Sequence, residues 1–185
     1  MQILLANAKI MRNEVGALPQ SEPRFQNEAH ALATEMSTLD IDSLQQQLDC
    51  SRRLAAENWQ RFQHFFSAKK IPALLAYNGQ AYKHLKASTL TESDLAFAQQ
   101  HLWITCFLYG LLRPLDGIVP YRMEHTVKLS LTGGRPISQY WKDRLTDFLI
   151  ASVKADDGIL LHLATEEYEH LFEWKRAQSE VSVVQ

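Results

Sequence analysis

The chain has 185 residues, 46% of them hydrophobic and 22% charged, with a formal net charge of -2. That is enough chain for one domain with a real core, and the charge gives no general pull toward nucleic acid or membrane, so any such surface needs local segregation of charge. Cys50 and Cys106 are the only cysteines. So few point to a reduced, cytoplasmic protein with thiols packed as small apolar groups, a Cys50–Cys106 disulfide being the competing reading.

The apolar run after Met1 is too short for a signal peptide, and no apolar stretch reaches membrane-spanning length. Ile3 to Ala6 reads as a short buried strand. Ligand sites in open α/β sheets lie off the carboxyl ends of strands. Lys9 is therefore a candidate anion contact, with a solvated surface lysine as the competing reading.

Residues 12–23 carry two prolines, a glycine and mixed polar groups and read as loop. Arg24 to Met36 repeats Phe25, Ala29, Leu32, Ala33 and Met36 at helical spacing, with His30 on the polar face. Asp40 can cap a helix over Ile41–Leu48, and Ser51 a second over Arg52–Phe66. The short stretch Leu48-Asp49-Cys50-Ser51 joins them, which predicts an αα-hairpin over about 41–66. The N–H groups at Arg52 and Arg53 would carry the positive end of the helix dipole and suit a phosphate. Arg61, Lys69 and Lys70 extend the basic character against Glu57 alone. The competing reading is a solvated helix face. The glycines of a DNA-binding helix-hairpin-helix are missing from the turn.

Pro72 to Tyr77 is expected as a second buried strand ended by Asn78-Gly79, followed by a helical turn over Tyr82–Leu85. Thr91 or Ser93 can cap a helix carrying Leu95, Ala98 and Leu102, with Phe97 and His101 paired along another side. His101 reads as a buried, hydrogen-bonded histidine rather than a metal ligand, since no second ligand sits at helical spacing.

Residues 103–108 are expected as a buried strand, with Gly110 releasing the chain into a loop that runs to Arg122. In that loop Arg113 is extended before Pro114, and Asp116-Gly117 makes a turn. Lys128 to Leu131 is a candidate strand and Ile137–Val153 a helix with Tyr140, Trp141, Leu145, Phe148 and Leu149 inward. Asp156-Asp157-Gly158 turns into a strand over Ile159–Leu163, and a helix begins within Ala164–Tyr168. Val181–Val184 starts a further strand, and a chain stopping there looks cut short. The elements together predict a mixed α/β, α+β fold: one domain over 1–185, a central mixed sheet flanked by helices.

At F-A-Q-Q-H-L (97–102), Y-G-L-L-R-P-L-D (109–116) and P-Y-R-M-E (120–124) the sequence resembles the YaaA family of bacterial peroxide stress proteins. Ala8-Lys9 after the first strand and L-A-T-E-E-Y at 163–168 fit as well. The resemblance implies a cytoplasmic α/β protein that binds duplex and structured DNA through a positive cleft with a helix-hairpin-helix-like element, here at Ile41–Arg61. It also implies peroxide defence that lowers free intracellular iron. Ala6-Asn7 stands where the family has Ser-Pro, Trp103 where it has a basic residue, and Thr105-Cys106-Phe107 around its Ser-Gly. The family pattern also continues with a basic segment beyond this chain's last residue.

Lys9, Arg52, Arg53, Arg113, Tyr121 and Arg122 form the candidate DNA-binding set, since arginine forks and tyrosine hydroxyls suit phosphate and sugar. The competing reading pairs Arg113 and Arg122 with Asp116 and Glu124 to hold the loop. A small-molecule or phosphate-binding enzyme is the alternative, with Tyr77, His101 and Glu124 added to the pocket and Glu124 as a general base. No nucleophile-plus-base spacing, phosphate-binding loop or dinucleotide fingerprint occurs. Glu167-x-x-His170 has di-iron spacing but only one such motif is present, so an acidic helix face is the preferred reading. No cofactor, metal or membrane is expected, and a monomer is favoured.

Overall fold

A computed structural model describes residues 1–17 and 19–185; of the stretch 12–23 read as loop, residue 18 lies outside the described residues. Strand β1 (Gln2–Ala6) is the centre of a five-stranded sheet. It pairs in parallel with β3 (Leu102–Cys106) on one side and with β6 (Ile159–His162) on the other. β4 (Gly110–Leu112) adds antiparallel to β3, and β7 (Ser182–Val184) adds parallel to β6. β2 (Ile71–Pro72) and β5 (Gly117–Ile118) make a separate antiparallel pair. The chain leaves β1 for a strand on one side and later returns to the other. The carboxyl ends of β1, β3 and β6 therefore open at one point, where open α/β sheets place their ligands.

Side chains alternate across β1 as a strand's period of two requires. Leu4 is fully buried. Ile3 and Leu5 face the other way and line an apolar groove of about 380 Å³ with Leu85, Phe97, Leu102 and Leu163. Helix α7 (Ile137–Lys154) packs directly on β4. Gly110 has φ +70°, and a Cβ there would lie 3.0 Å from Trp141 and Leu145. Trp141 is fully buried and donates Nε1–H to Phe107 O at 2.8 Å.

Helix α1 (Gln26–Thr38) buries Ala29, Leu32, Ala33 and Met36 of the periodic set read from sequence, while Phe25, its first member, is the N-cap residue. α2 (Ile41–Gln47) is capped by Asp40, and α3 (Arg52–Gln63) by Ser51, whose side chain accepts from Leu54 N at 3.3 Å. The two helices pack on each other. Their turn closes without glycine because Asp49 takes the left-handed conformation at φ 42°, one of the few non-glycine residues suited to it. α3 ends at Gln63 rather than Phe66; Phe65 is buried and Phe66 is 61% exposed.

The expected strand over Pro72–Tyr77 is instead helix α4 (Ala73–Ala76). Its first N–H groups bond to Asp116 O and Pro114 O at 2.9 Å each. Alanine and leucine favour a helix once Pro72 sets its start. α5 (Gln80–Leu85) follows, then a 3₁₀ turn at Ala87–Thr89. α6 (Glu92–His101) opens on a capping box between Thr91 and Asp94, a reciprocal satisfaction of two free donors.

The strand expected over 103–108 stops at Cys106, and Gly110 begins the antiparallel return rather than a loop. The Asp116-Gly117 turn also differs: the turn falls at Pro114-Leu115, while Asp116 bridges to Ser21 and Gly117 enters β5. Lys128–Leu131 is not a strand. Only Lys128 pairs, with Pro136, and the Thr132 hydroxyl takes Leu129 N at 3.1 Å, closing a turn. Such local side-chain bonds compete with a ladder. α8 (Glu166–Glu169) and α9 (Trp174–Glu180), the latter without a sequence expectation, complete the chain. Both cysteines are free thiols. No helix among the described residues is long and apolar enough to cross a membrane.

Candidate functional site

At the carboxyl end of β1 the chain continues into Asn7 and Lys9. Lys9 Nζ donates to Glu124 Oε2 at 2.7 Å and lies 3.4 Å from Glu167 Oε1. Glu124 is only 7% exposed, and its other oxygen faces Arg122 Nη2 at 2.6 Å. That second contact is an ion pair without hydrogen-bond alignment: among the described residues Oε1 has no hydrogen-bond partner, and the buried Arg122 Nε has none either. Burial lowers the Lys9 pKa, and the Glu124 and Glu167 carboxylates together more than offset it, leaving the ammonium above its ordinary value. Glu124 thus bridges two cations brought from residues 9 and 122.

Beneath this cluster lies a network of phenols. Tyr77 and Tyr121 share a hydroxyl contact at 3.0 Å. Asn7 Nδ2 donates to Tyr121 OH at 3.3 Å, and the Tyr168 hydroxyl donates to Asn7 Oδ1. Tyr82 OH donates to Ala6 O at 2.8 Å. Burial pushes the Tyr77, Tyr82, Tyr121 and Tyr168 hydroxyls well up, so all four stay protonated donors. The fully buried Cys106 sits against Tyr77 and Tyr121, and burial pushes its thiol up to about 11.

The α2–α3 hairpin is tied to the segment that follows Glu124. Cys50 lies within electrostatic reach of Arg122 and Glu124. Gln47 accepts Lys128 N at 2.9 Å and donates to Lys128 O at 3.0 Å, which docks α2 on the segment following Glu124. Arg52 pairs with exposed Asp42, and Arg53 is exposed. Farther along α3, Arg61, His64 and Lys69 line a cleft of about 450 Å³ with Glu14, Glu57 and Pro120.

Of the residues proposed from sequence, Lys9, Tyr121, Arg122 and Glu124 come together, while Arg52 and Arg53 stand exposed at the start of α3, with Arg52 paired to Asp42. Arg113 does not join them. Its Nη1 donates to Gln2 Oε1 and Leu102 O at 3.1 Å each, at the amino end of the strands, and its guanidinium covers the Trp103 ring. Tyr77 lines a cleft of about 200 Å³ near Lys83 and Lys86, whereas His101 lines the apolar groove, so the two occupy different clefts. His101 is half-buried, with Nδ1 3.0 Å from Met1 O and 3.2 Å from Asp156 Oδ2. Glu167 pairs with Lys9, while His170 stacks near His125 with ring centroids 6.0 Å apart. Among the described residues no group of three or more His, Cys, Asp or Glu is arranged to hold a metal ion.

Asn7 and Tyr168 were not singled out as site residues. Asn7 directly follows the carboxyl end of β1, and Tyr168 lies in α8, six residues past the end of β6, where it closes the L-A-T-E-E-Y motif; strand-end position was the available signal for Asn7 and the motif for Tyr168.

The family model for "Peroxide stress protein YaaA" matches residues 1–185. The chain belongs to the YaaA family of peroxide stress proteins. A UPF0246 protein of Bacteroides thetaiotaomicron is 42% identical over 188 residues, covering 100% of this chain and 73% of the relative. Another UPF0246 protein, from Phocaeicola vulgatus, is 44% identical over 188 residues, with 100% and 74% covered. A third, from Lactobacillus delbrueckii subsp. bulgaricus, is 34% identical over 171 residues, covering 92% of this chain and 68% of the relative. In this YaaA-family chain the P-Y-R-M-E motif delivers Tyr121, Arg122 and Glu124, and Ala8-Lys9 delivers their partner from β1. The family name assigns it to peroxide stress.

Proposed function

We propose that this YaaA-family chain acts in peroxide stress by binding the phosphate backbone of double-stranded or structured DNA in the cytoplasm. Lys9, Arg122 and the Arg52–Arg53 end of the α2–α3 hairpin are the contacts. The limitation of free iron is read as an indirect consequence. The observation that supports this reading is the docking of α2 through Gln47 onto the backbone of Lys128, four residues beyond Glu124 of the Lys9–Glu124–Arg122 cluster. On this reading, cations from three separate parts of the chain act as one surface.

Tyr121 has a different part. Its buried hydroxyl holds Asn7 and so steers the segment carrying Lys9. Contacts of this kind are tolerant of sequence and sensitive to salt. One chain supplies all of them, so a monomer suffices.

The test is a titration of labelled duplex DNA with the folded chain across a salt series. Binding at low salt that falls steadily as salt rises supports the reading. A folded chain that leaves duplex, junction and single-stranded DNA free at the lowest salt overturns it.

A further inference from the structure

We propose that Glu124 is a built-in counter-ion that fills the anion seat between Lys9 and Arg122, and that an incoming phosphate displaces its carboxylate from Arg122. This deepens the DNA-binding reading and rests on it.

The geometry of Arg122 carries the inference. A guanidinium presents adjacent N–H groups as a fork, which two oxygens of one phosphate or carboxylate satisfy side by side. Here Nη2 faces Glu124 Oε1 at 2.6 Å without hydrogen-bond alignment, and the neighbouring Nε is buried with no partner among the described residues. Glu124 Oε1 is unpartnered in the same sense. Three groups in contact thus leave two polar atoms unsatisfied, which buried polar groups rarely tolerate. Glu124 meets only one prong in this geometry, its second oxygen being turned to Lys9 Nζ at 2.7 Å. A tetrahedral phosphate has enough oxygens to meet the fork and the ammonium together.

Access and charge point the same way. The Lys9 side chain is 47% exposed while that of Glu124 is 9% exposed, so an anion reaches the seat past the lysine. With Glu124 and Glu167 both close by, the two cations are neutralised and attract little at a distance. Glu124 therefore reserves the seat for an anion that closes on both cations at once. Glu167 contacts Lys9 at 3.4 Å and acts only on that side.

The test compares wild type, Glu124→Gln and Glu167→Gln for binding to a labelled duplex across a salt series, with thermal melting of each. Glu124→Gln keeps the volume and removes the charge. The expected result is tighter binding and a log affinity against log salt slope steeper by about one to two, as for one or two more phosphates neutralised. Glu167→Gln gives a smaller change. Wild-type binding with an unchanged slope and affinity in a folded Glu124→Gln variant overturns the proposal and leaves the DNA reading standing. Absence of binding by both proteins removes the DNA reading and the proposal with it. A second measurement needs no variant at position 124. Inorganic phosphate added to wild-type protein shifts the Arg122 Nε–H resonance and not that of Arg113; an unmoved Arg122 resonance overturns the proposal.

Discussion

The guanidinium of Arg113 lies 3.3 Å from the centroid of the Trp103 ring, at the amino end of the sheet, while Lys9 follows its carboxyl end. Burial lowers the Arg113 pKa to about 10, and its backbone N–H is held by Asp116 Oδ2 at 2.7 Å. This arginine anchors the β4–β5 connection to the sheet. Arg113→Lys is predicted to lose the ring contact and at least one fork bond, lowering stability by about 1–2 kcal/mol. Urea unfolding measures it. DNA affinity stays at the wild-type value; a loss of affinity with stability intact would contradict this placement.

At the hairpin the prediction reverses. Arg52 and Arg53 are exposed, and exposed ion pairs such as Arg52–Asp42 contribute about 0–1 kcal/mol. Replacing both by alanine leaves the melting temperature nearly unchanged. It lowers DNA affinity and reduces the salt slope by about two. An unchanged slope excludes the hairpin end from the interface.

Gln47→Ala removes both bonds to the Lys128 backbone. A cost of about 1–2 kcal/mol is expected, since the Lys128 groups lose their partner. Hydrogen exchange at Cys50–Arg53 should speed up while exchange in β1 stays slow. Uniform slow exchange would mean that α2 is held by other contacts.

Alkaline pH probes the phenol network. The Cys106 thiol is pushed from 9.0 up to about 11 by burial. Between those values the unfolded chain releases its proton and the folded chain keeps it, so stability falls as pH rises through the window. Cys50, also raised by burial, acts in the same direction. Cys106→Ala should therefore flatten the decline above pH 9.0 but not remove it. In thiol labelling of native protein, half-buried Cys50 reacts first and Cys106 only on unfolding. Prompt double labelling would contradict the burial.

Periodicity and caps made much of this fold legible. The apolar spacing in α1, the Asp40, Ser51 and Thr91 caps, the long α7 and the β1, β6 and β7 strands follow from local rules. Failures occurred where a tertiary partner decided the matter. Ala73–Ala76 became helical with its donors on the 114–116 turn, and Gly110 turned the chain back against α7. In the site, Lys9 and the P-Y-R-M-E residues were readable from motif and strand end. That Arg113 belongs to the other end of the sheet was not, because a loop's direction depends on the β3–β4 hairpin that the apolar run concealed.

The central claim is that Lys9 and Arg122 hold DNA phosphate. The most direct test is the salt dependence of duplex binding by a Lys9→Ala/Arg122→Ala double variant beside wild type, with circular dichroism confirming the fold. The account predicts weaker binding at low salt and a log–log slope shallower by about one, for the one phosphate the two side chains share, with the two affinities converging as salt rises. Equal affinities and parallel slopes from a folded double variant would contradict it.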